Sequence, residues 1–143
     1  MNCGDSRHLG ELAGVLAAGQ TAEVRFLVDE TMLAAFDGEV VHPVLGTAWL
    51  IYHLELAGRR LILPSLRDDQ EGIGHAISVV HRAPASPGTV VVATARVESV
   101  GGNRVVAAVS ARTLDGTLIA DGQFTQVILP KAVLMERISS ARP

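Results

Sequence analysis

Glu55 is the acidic residue of this sequence with the least polar surroundings. It stands between Leu54 and Leu56, and no other acidic residue occurs between Glu39 and Asp68. A carboxylate in an apolar segment is costly unless it is paired or hydrogen-bonded, and functional sites often tolerate that cost. We therefore expect Glu55 to take part in chemistry. The alternative is that it lies near a helix end and faces water.

Thr47 and His81 are the polar residues best placed to act with Glu55. Thr47 precedes Glu55 by eight residues, and at about 3.6 residues per turn this spacing puts both on one broad helix face. His81 ends a β-type segment in which it alternates with His75 and Ile77, so these three should share a face. The alternatives are a helical threonine bonded to its own backbone and a structural histidine.

Two glycines and a further histidine are weaker candidates. Gly72 and Gly74 bracket the start of the same β-type segment, where free backbone N–H groups can approach a carbonyl oxygen, although turns are the commoner use. His42 precedes Pro43 and could lie at a helix N-terminus or in a loop. The sequence contains no Gly-rich phosphate loop, dinucleotide fingerprint, nucleophile elbow or metal-ligand spacing of histidines.

A long helix carries Thr47 and Glu55. Residues Val44–Leu63 are apolar on nearly every side, which is typical of a buried helix, with Pro43 as its first residue and Pro64 at its end. Earlier in the chain, the patterns predict a helix over Ser6–Ala18, a strand over Ala22–Val28 and a brief helical piece over Met32–Phe36 capped by Asp29 or Thr31.

The second half of the chain reads as β-structure. After a polar loop over Ser65–Gly72, the predicted strands are Ile73–Arg82, Thr89–Val100, Arg104–Thr113 and Thr117–Leu129. Turn signals separate them at Pro84–Gly88, Gly101–Asn103 and Asp115–Gly116. This order predicts a four-stranded antiparallel meander, followed by a short helix and a frayed tail over Pro130–Pro143.

The composition fits one domain over residues 1–143, with residues 1–19 as a helical extension and 130–143 as a tail. With 3% aromatic residues and a net charge of −3, the chain lacks the basic surface and stacking platforms that nucleic-acid binding needs. Cys3 has no partner for a disulfide, and we find no secretory signal or membrane-spanning segment. We therefore expect a cytoplasmic protein.

An apolar helix of this kind needs cover on every side, and one antiparallel sheet covers only one side. A strongly curved sheet wrapped around the helix, with a second subunit closing the rest, satisfies this requirement. We therefore predict an α+β hotdog fold that forms a homodimer, or a tetramer built from two dimers.

Three segments resemble the fluoroacetyl-CoA thioesterase-like branch of the hotdog superfamily. The resemblance covers Val40–Leu129. Gly46-Thr47 and Glu55-Leu56-Ala57 are similar to that group's threonine and glutamate on the central helix, Gly74–His81 to its strand from a glycine to the active-site histidine, and His81–Gly88 to its following loop.

The resemblance implies hydrolysis of an acyl thioester at a dimer interface. Glu55 would act as base or nucleophile, His81 would transfer protons, and Thr47 would position or polarise the substrate. The substrate-binding residues would be His42, Gly46, Gly74 and Arg82, the last meeting coenzyme A phosphates. No cofactor is implied, because coenzyme A is part of the substrate.

The sequence departs from this group at two places. The last strand has Phe124 and Gln126 where members often have the histidine and arginine of Gly-x-His-x-Arg, so acyl-carrier protein could replace coenzyme A as the carrier. Gly38 and Val41 stand where the fluoroacetyl-specific member has bulky aromatic residues, which argues against fluoroacetyl-CoA as the substrate.

Two other functions remain open on the sequence. One is an acyl-CoA hydratase or dehydratase of the same fold. The region around His42 faintly resembles those enzymes, but the aspartate that they need near the histidine is missing. The other is a hotdog dimer that binds an acyl ligand without turnover.

Overall fold

The protein was analysed as a computed structural model, which describes residues 16–141 and 143. The strands are β1 (Thr21–Leu27), β2 (Leu33–Phe36), β3 (Glu39–Leu45), β4 (Gln70–His81), β5 (Val90–Gly101), β6 (Arg104–Thr113) and β7 (Leu118–Pro130). The helices are α1 (Thr47–Ile62) and α2 (Lys131–Ser140), with short 3₁₀ helices at Glu30–Met32 and Leu63–Ser65.

Five strands form one antiparallel sheet in the order β1-β5-β6-β7-β4. The predicted bounds of the last four strands are close to those observed, but the predicted four-stranded meander is wrong, because β4 pairs with β7 and not with β5. Tight turns with positive-φ glycines at Gly102 and Gly116 fix β5-β6-β7 as neighbours. The longer connection between β4 and β5 instead crosses to the other side, where Gly88 N–H donates to the Val28 carbonyl.

Helix α1 packs its apolar stripe against the inner face of this sheet. Leu50, Leu54 and Ala57 are fully buried, and small residues such as Ala93 and Ala95 on β5 face them and let helix and sheet approach closely. The result is an α+β structure of the hotdog type, with an antiparallel sheet around one central helix.

The helix begins later than predicted. Pro43 lies in β3 and is not the first helical residue, and Gly46 is the N-cap residue that precedes α1. An extended conformation suits proline here because β2 and β3 form a separate two-stranded sheet in which both strands are edges. The carbonyl of Gly46 accepts from Leu50 N–H, which is the first bond of the helix.

The brief helical piece predicted over Met32–Phe36 is also wrong in most of its length. Asp29 does cap a 3₁₀ turn, because its carboxylate accepts from Thr31 N–H at 2.8 Å. Residues 33–36 then run as β2 and pair with β3. The pairing with β3 is a tertiary contact, which outweighs the weak local preference of this short segment.

Two terminal helices were predicted, and only the C-terminal one lies within the described residues. The predicted helix over Ser6–Ala18 lies outside the described residues except for residues 16–18, which form a bend and a turn. The predicted C-terminal helix is confirmed as α2. Within the described residues, neither helix combines the length and apolar character that crossing a membrane requires.

Candidate active site

One side of α1 is left uncovered by the residues that the structure describes. Ala48, Tyr52 and Glu55 are exposed along this side, whereas Leu50 and Leu54 on the opposite side are buried. Thr47, at the start of the helix, is exposed as well. Residues 16–141 therefore do not cover the helix all round, and the two polar residues predicted to share a face both reach the surface.

Thr47 and His81 are brought together by the packing of α1 on β4. Thr47 Oγ1 lies 2.9 Å from His81 Nδ1, which is hydrogen-bonding distance for either tautomer of the imidazole. The other ring nitrogen, Nε2, is shielded from solvent and has no partner among the described residues. A buried ring nitrogen without a partner is costly, and such groups in native proteins often mark sites of catalysis.

The Glu55 carboxylate lies over Gly74 on β4. A Cβ atom at Gly74 would come within 3.3 Å of Glu55 Oε1, so the absence of a side chain there gives the carboxylate its place. Glu55 is exposed and makes no hydrogen bond or ion pair to any other residue in the described part of the chain. No described residue therefore occupies the carboxylate oxygens that would accept a proton.

These four residues define a seam between helix and strand, which we call the α1–β4 seam: Thr47 and Glu55 on α1, Gly74 and His81 on β4. The Thr47–His81 pair lies at one end and the Glu55–Gly74 contact at the other. At about 1.5 Å of rise per residue the two ends are about 12 Å apart along the helix axis.

A β-bulge makes this arrangement possible. Gly74 pairs with Gln126 and Ala76 pairs with Thr125, so His75 is an extra residue without a counterpart on β7. In a regular strand, Gly74 and His81 would point to opposite faces, because seven residues separate them. The bulge changes the alternation once, and both residues face α1. The predicted shared face of His75 and His81 is therefore interrupted at His75, which is exposed.

The N-terminus of α1 supplies hydrogen-bond donors beside Thr47. The N–H groups of the first three helical residues, Thr47–Trp49, have no acceptor within the helix. No side chain in the described part of the chain caps this end. Gly46 N–H itself is used, since it donates to the Met32 carbonyl at 2.8 Å. The free donors and the helix dipole favour negative charge at this end.

The family of the chain follows from its match to a family model. The model for fluoroacetyl-CoA-specific thioesterases matches residues 28–132, a range that contains the whole α1–β4 seam. The chain belongs to the fluoroacetyl-CoA-specific thioesterase family. It is accordingly a thioester hydrolase.

Solved structures of this thioesterase superfamily agree with the fold. A hypothetical protein of Thermus thermophilus, described as a thioesterase superfamily member, is 42% identical with a TM-score of 0.82, over 87% of this chain and 94% of that one. The fluoroacetyl-CoA thioesterase FlK is 23% identical with a TM-score of 0.81, over 89% and 98%. A hot-dog-like protein of Thermanaerovibrio acidaminovorans has a TM-score of 0.85 at 20% identity, over 93% and 98%. No functionally curated protein matches the sequence significantly.

The remaining predicted residues of the thioesterase lie apart from the seam contacts. Arg82 follows His81, so its side chain leaves on the opposite face, where Nε pairs with Asp121 at 2.9 Å. His42 is exposed in β3, opposite Ala34. Gly46 is buried, and a Cβ atom there would lie 3.1 Å from the Ala34 backbone. Their predicted roles in substrate binding remain predictions.

One ion pair and one hydrogen bond hold α1 against the sheet. Neither was predicted from the sequence. Arg59 donates to Glu71 at 2.9 Å, and this hydrogen bond lowers the pKa of the Glu71 carboxyl. Gln126, which is buried, donates through Nε2 to the Gly58 carbonyl. A glutamine among the apolar residues of a strand was the available signal for the second contact.

His53 lies on the side of α1 away from the seam. Its ring stacks on Phe26 with centroids 3.6 Å apart, and its Nδ1 lies 2.8 Å from the Trp49 carbonyl oxygen. Burial lowers the pKa of His53 and so favours the neutral ring. His53 therefore has a packing role.

Proposed function

We propose that this thioesterase hydrolyses its acyl thioester at a dimer interface, with Glu55 of one chain as general base, His81 of a second chain as proton donor and Thr47 as the residue that positions His81. The two ends of one α1–β4 seam are about 12 Å apart along the helix axis, which is too far for one thioester group to contact both. The observation that supports this most directly is that Glu55, which is exposed and has no partner among the described residues, lies on the same seam as the Thr47–His81 pair. A carboxylate can accept the proton of water, an imidazole can donate a proton to the leaving thiolate, and a hydroxyl can orient the imidazole.

In the proposed reaction, Glu55 takes a proton from water and the oxygen of that water attacks the thioester carbonyl carbon. Backbone N–H groups at the start of the second chain's α1, beside its Thr47–His81 pair, stabilise the oxyanion that forms. The carbon–sulfur bond then breaks, the acyl group leaves as a carboxylic acid, and the thiolate takes a proton from His81. Glu55 then gives its proton to solvent and His81 takes one from solvent, which restores both residues.

Thiol release from a panel of acyl-CoA esters tests this proposal. The panel includes short, branched, aromatic and long acyl groups, fluoroacetyl-CoA, and the same acyl groups on acyl-carrier protein. We expect thiol release with at least one short member and a poor rate with fluoroacetyl-CoA. A folded protein that releases thiol from no member would contradict hydrolysis and favour binding without turnover.

Thr47→Val tests the positioning of His81. The substitution keeps the shape of the side chain and removes the hydroxyl that contacts Nδ1. The loss of one orienting hydrogen bond should lower kcat by about 10- to 100-fold, with KM changed little. Thr47→Ser retains the hydroxyl and should stay within a fewfold of the wild type in steady-state kinetics. Equal rates for the valine and serine variants would refute this role.

We further propose that the enzyme is a homodimer formed through β4. This strand is an edge of the sheet, its residues 74–78 are exposed, and Val80 is 52% exposed. A long edge strand with exposed apolar side chains is an unusual surface for a monomer and a ready template for pairing. The same pairing would place a second chain beside the open side of α1.

Light scattering measures the assembly directly. We expect twice the mass of one chain, or four times if dimers associate further. Val80→Lys should weaken the dimer by at least about tenfold in dissociation constant, since it places a charge in the apolar contact. Leu114→Lys is the matched control, because Leu114 is also exposed but lies in the β6–β7 turn. A monomeric wild-type protein would refute the proposal.

A further inference from the structure

Phe124 is a buried aromatic side chain that borders the same glycine as the Glu55 carboxylate. It is 3% exposed. A Cβ atom at Gly74 would lie 3.5 Å from the ring atoms Cε2 and Cζ and 3.3 Å from Glu55 Oε1. One edge of the phenyl ring and the carboxylate of Glu55 therefore meet at a single backbone position of β4.

The other edge of the ring is held by α1. A Cβ atom at Gly58 would collide with Phe124 Cδ1 and lie 2.7 Å from Cε1. Gly58 is three residues after Glu55, so it lies one turn further along the helix. Two glycines, one on the helix and one on the strand, thus leave the space that the Phe124 ring fills.

The ring is also fixed from the sides of the sheet. Phe124 lies on β7, where it pairs with Ile77 on β4 on one side and with Ala107 on β6 on the other. Ala107 is fully buried. Gln126, two residues along β7, ties the strand to the Gly58 carbonyl at 2.9 Å. The phenyl ring is a close-packed wall with little room to move.

This wall lies where the acyl chain of a substrate would start. A thioester carbonyl within reach of Glu55 has its acyl carbons next to Gly74 and the ring edge. The ring offers C–H groups and no hydrogen-bond partner, so a charged or hydroxylated acyl group would lose its hydration there without compensation. A long chain would meet the packed ring.

We propose that Phe124 is a specificity-determining residue that closes the acyl end of the site and selects short, apolar acyl groups. The inference rests on the proposed function, because it assumes that the thioester carbonyl lies at Glu55. Gly74 acts with Phe124, since any side chain at that position would narrow the same space.

Binding of non-hydrolysable coenzyme A thioethers with straight alkyl chains of increasing length separates this inference from turnover. Calorimetry gives the ratio of affinities for the longest and shortest chains. Phe124→Leu removes part of the ring and should raise this ratio by about tenfold, and Gly74→Ala should lower it by a similar factor, since each methylene in an apolar pocket changes discrimination by about that much. Unchanged ratios in both variants would overturn the inference.

Phe26→Leu is the matched control, because Phe26 is a buried phenylalanine that packs on His53, on the far side of α1. It should leave the ratio unchanged; an equal shift would mean that general loosening, and not the wall, is responsible, which would overturn the inference. If Phe124→Leu does not fold, the Gly74→Ala ratio decides. Glu55-dependent thiol release, measured separately on the wild type, decides the proposed function.

Discussion

Glu55→Gln is expected to lower kcat for acyl-CoA hydrolysis by about a thousandfold while the protein remains folded. A positioned general base contributes about 10²- to 10⁴-fold to a rate, and glutamine keeps the size of the side chain but cannot accept the proton of water. Because Glu55 is exposed and unpaired in the described part of the chain, the free energy of unfolding should change by less than about 0.5 kcal/mol. Thiol release and thermal unfolding measure the two quantities.

Glu136→Gln provides the control for loss of one carboxylate. Glu136 is exposed on α2, outside the α1–β4 seam, and its substitution should leave kcat unchanged. A Glu55→Gln enzyme that retains the wild-type rate would exclude Glu55 as the base. A rate lost together with the fold would instead mean that Glu55 is structural.

Gly122→Ala is expected to have the largest effect on stability. A Cβ atom at Gly122 would collide with the carbonyl oxygen of Ser78 and lie 2.9 Å from Val79 Cα. The obstacle is backbone, which cannot move aside as a flexible side chain can, so β4 and β7 would have to separate where Val79 pairs with Gly122. We expect a loss of at least about 3 kcal/mol in the free energy of unfolding, measured by urea denaturation.

Gly101→Ala is the matched glycine of the same sheet. No atom lies within 4 Å of a Cβ placed there, and its φ is not positive, so the expected change is below about 0.5 kcal/mol. Equal stability of the two variants would show that β4 and β7 can separate at Gly122 without cost. Since His81 lies two residues from Val79, a folded Gly122→Ala protein should also lose activity.

Local patterns carried enough information for much of the fold. The central helix was predicted because its segment is apolar on nearly every side for several turns, and the last four strands because β-branched residues alternate between clear turn signals. The eight-residue spacing of Thr47 and Glu55 predicted that both lie on one broad face of the helix, because helical geometry is local. Hydrolysis of a thioester was likewise predicted, from the resemblance, and the family match confirms it.

Pairings between distant segments could not be predicted in the same way. Pro43 was assigned to the helix because proline is common in a first helical turn. In the structure it belongs to β3, which pairs with β2 in a hairpin. The pairing of β4 with β7 depends on which side of β7 remains free after two tight hairpins have formed, a property of the assembled sheet. The places of Phe124 and Gly58 likewise depend on how closely α1 approaches β7.

The sequence by itself determined the types of residue in the site, the helix that carries Thr47 and Glu55, and the family. Only the tertiary structure decided that Gly74 and His81 point to the same side of β4. Strict alternation would separate them, and the extra residue His75 brings them together, because the buried start of β4 at Gln70 and Gly72 and its end at His81 must both face α1. The bulge at His75 lets both ends of β4 face α1. Its position depends on contacts with α1, which are distant in sequence, so no local pattern predicts it.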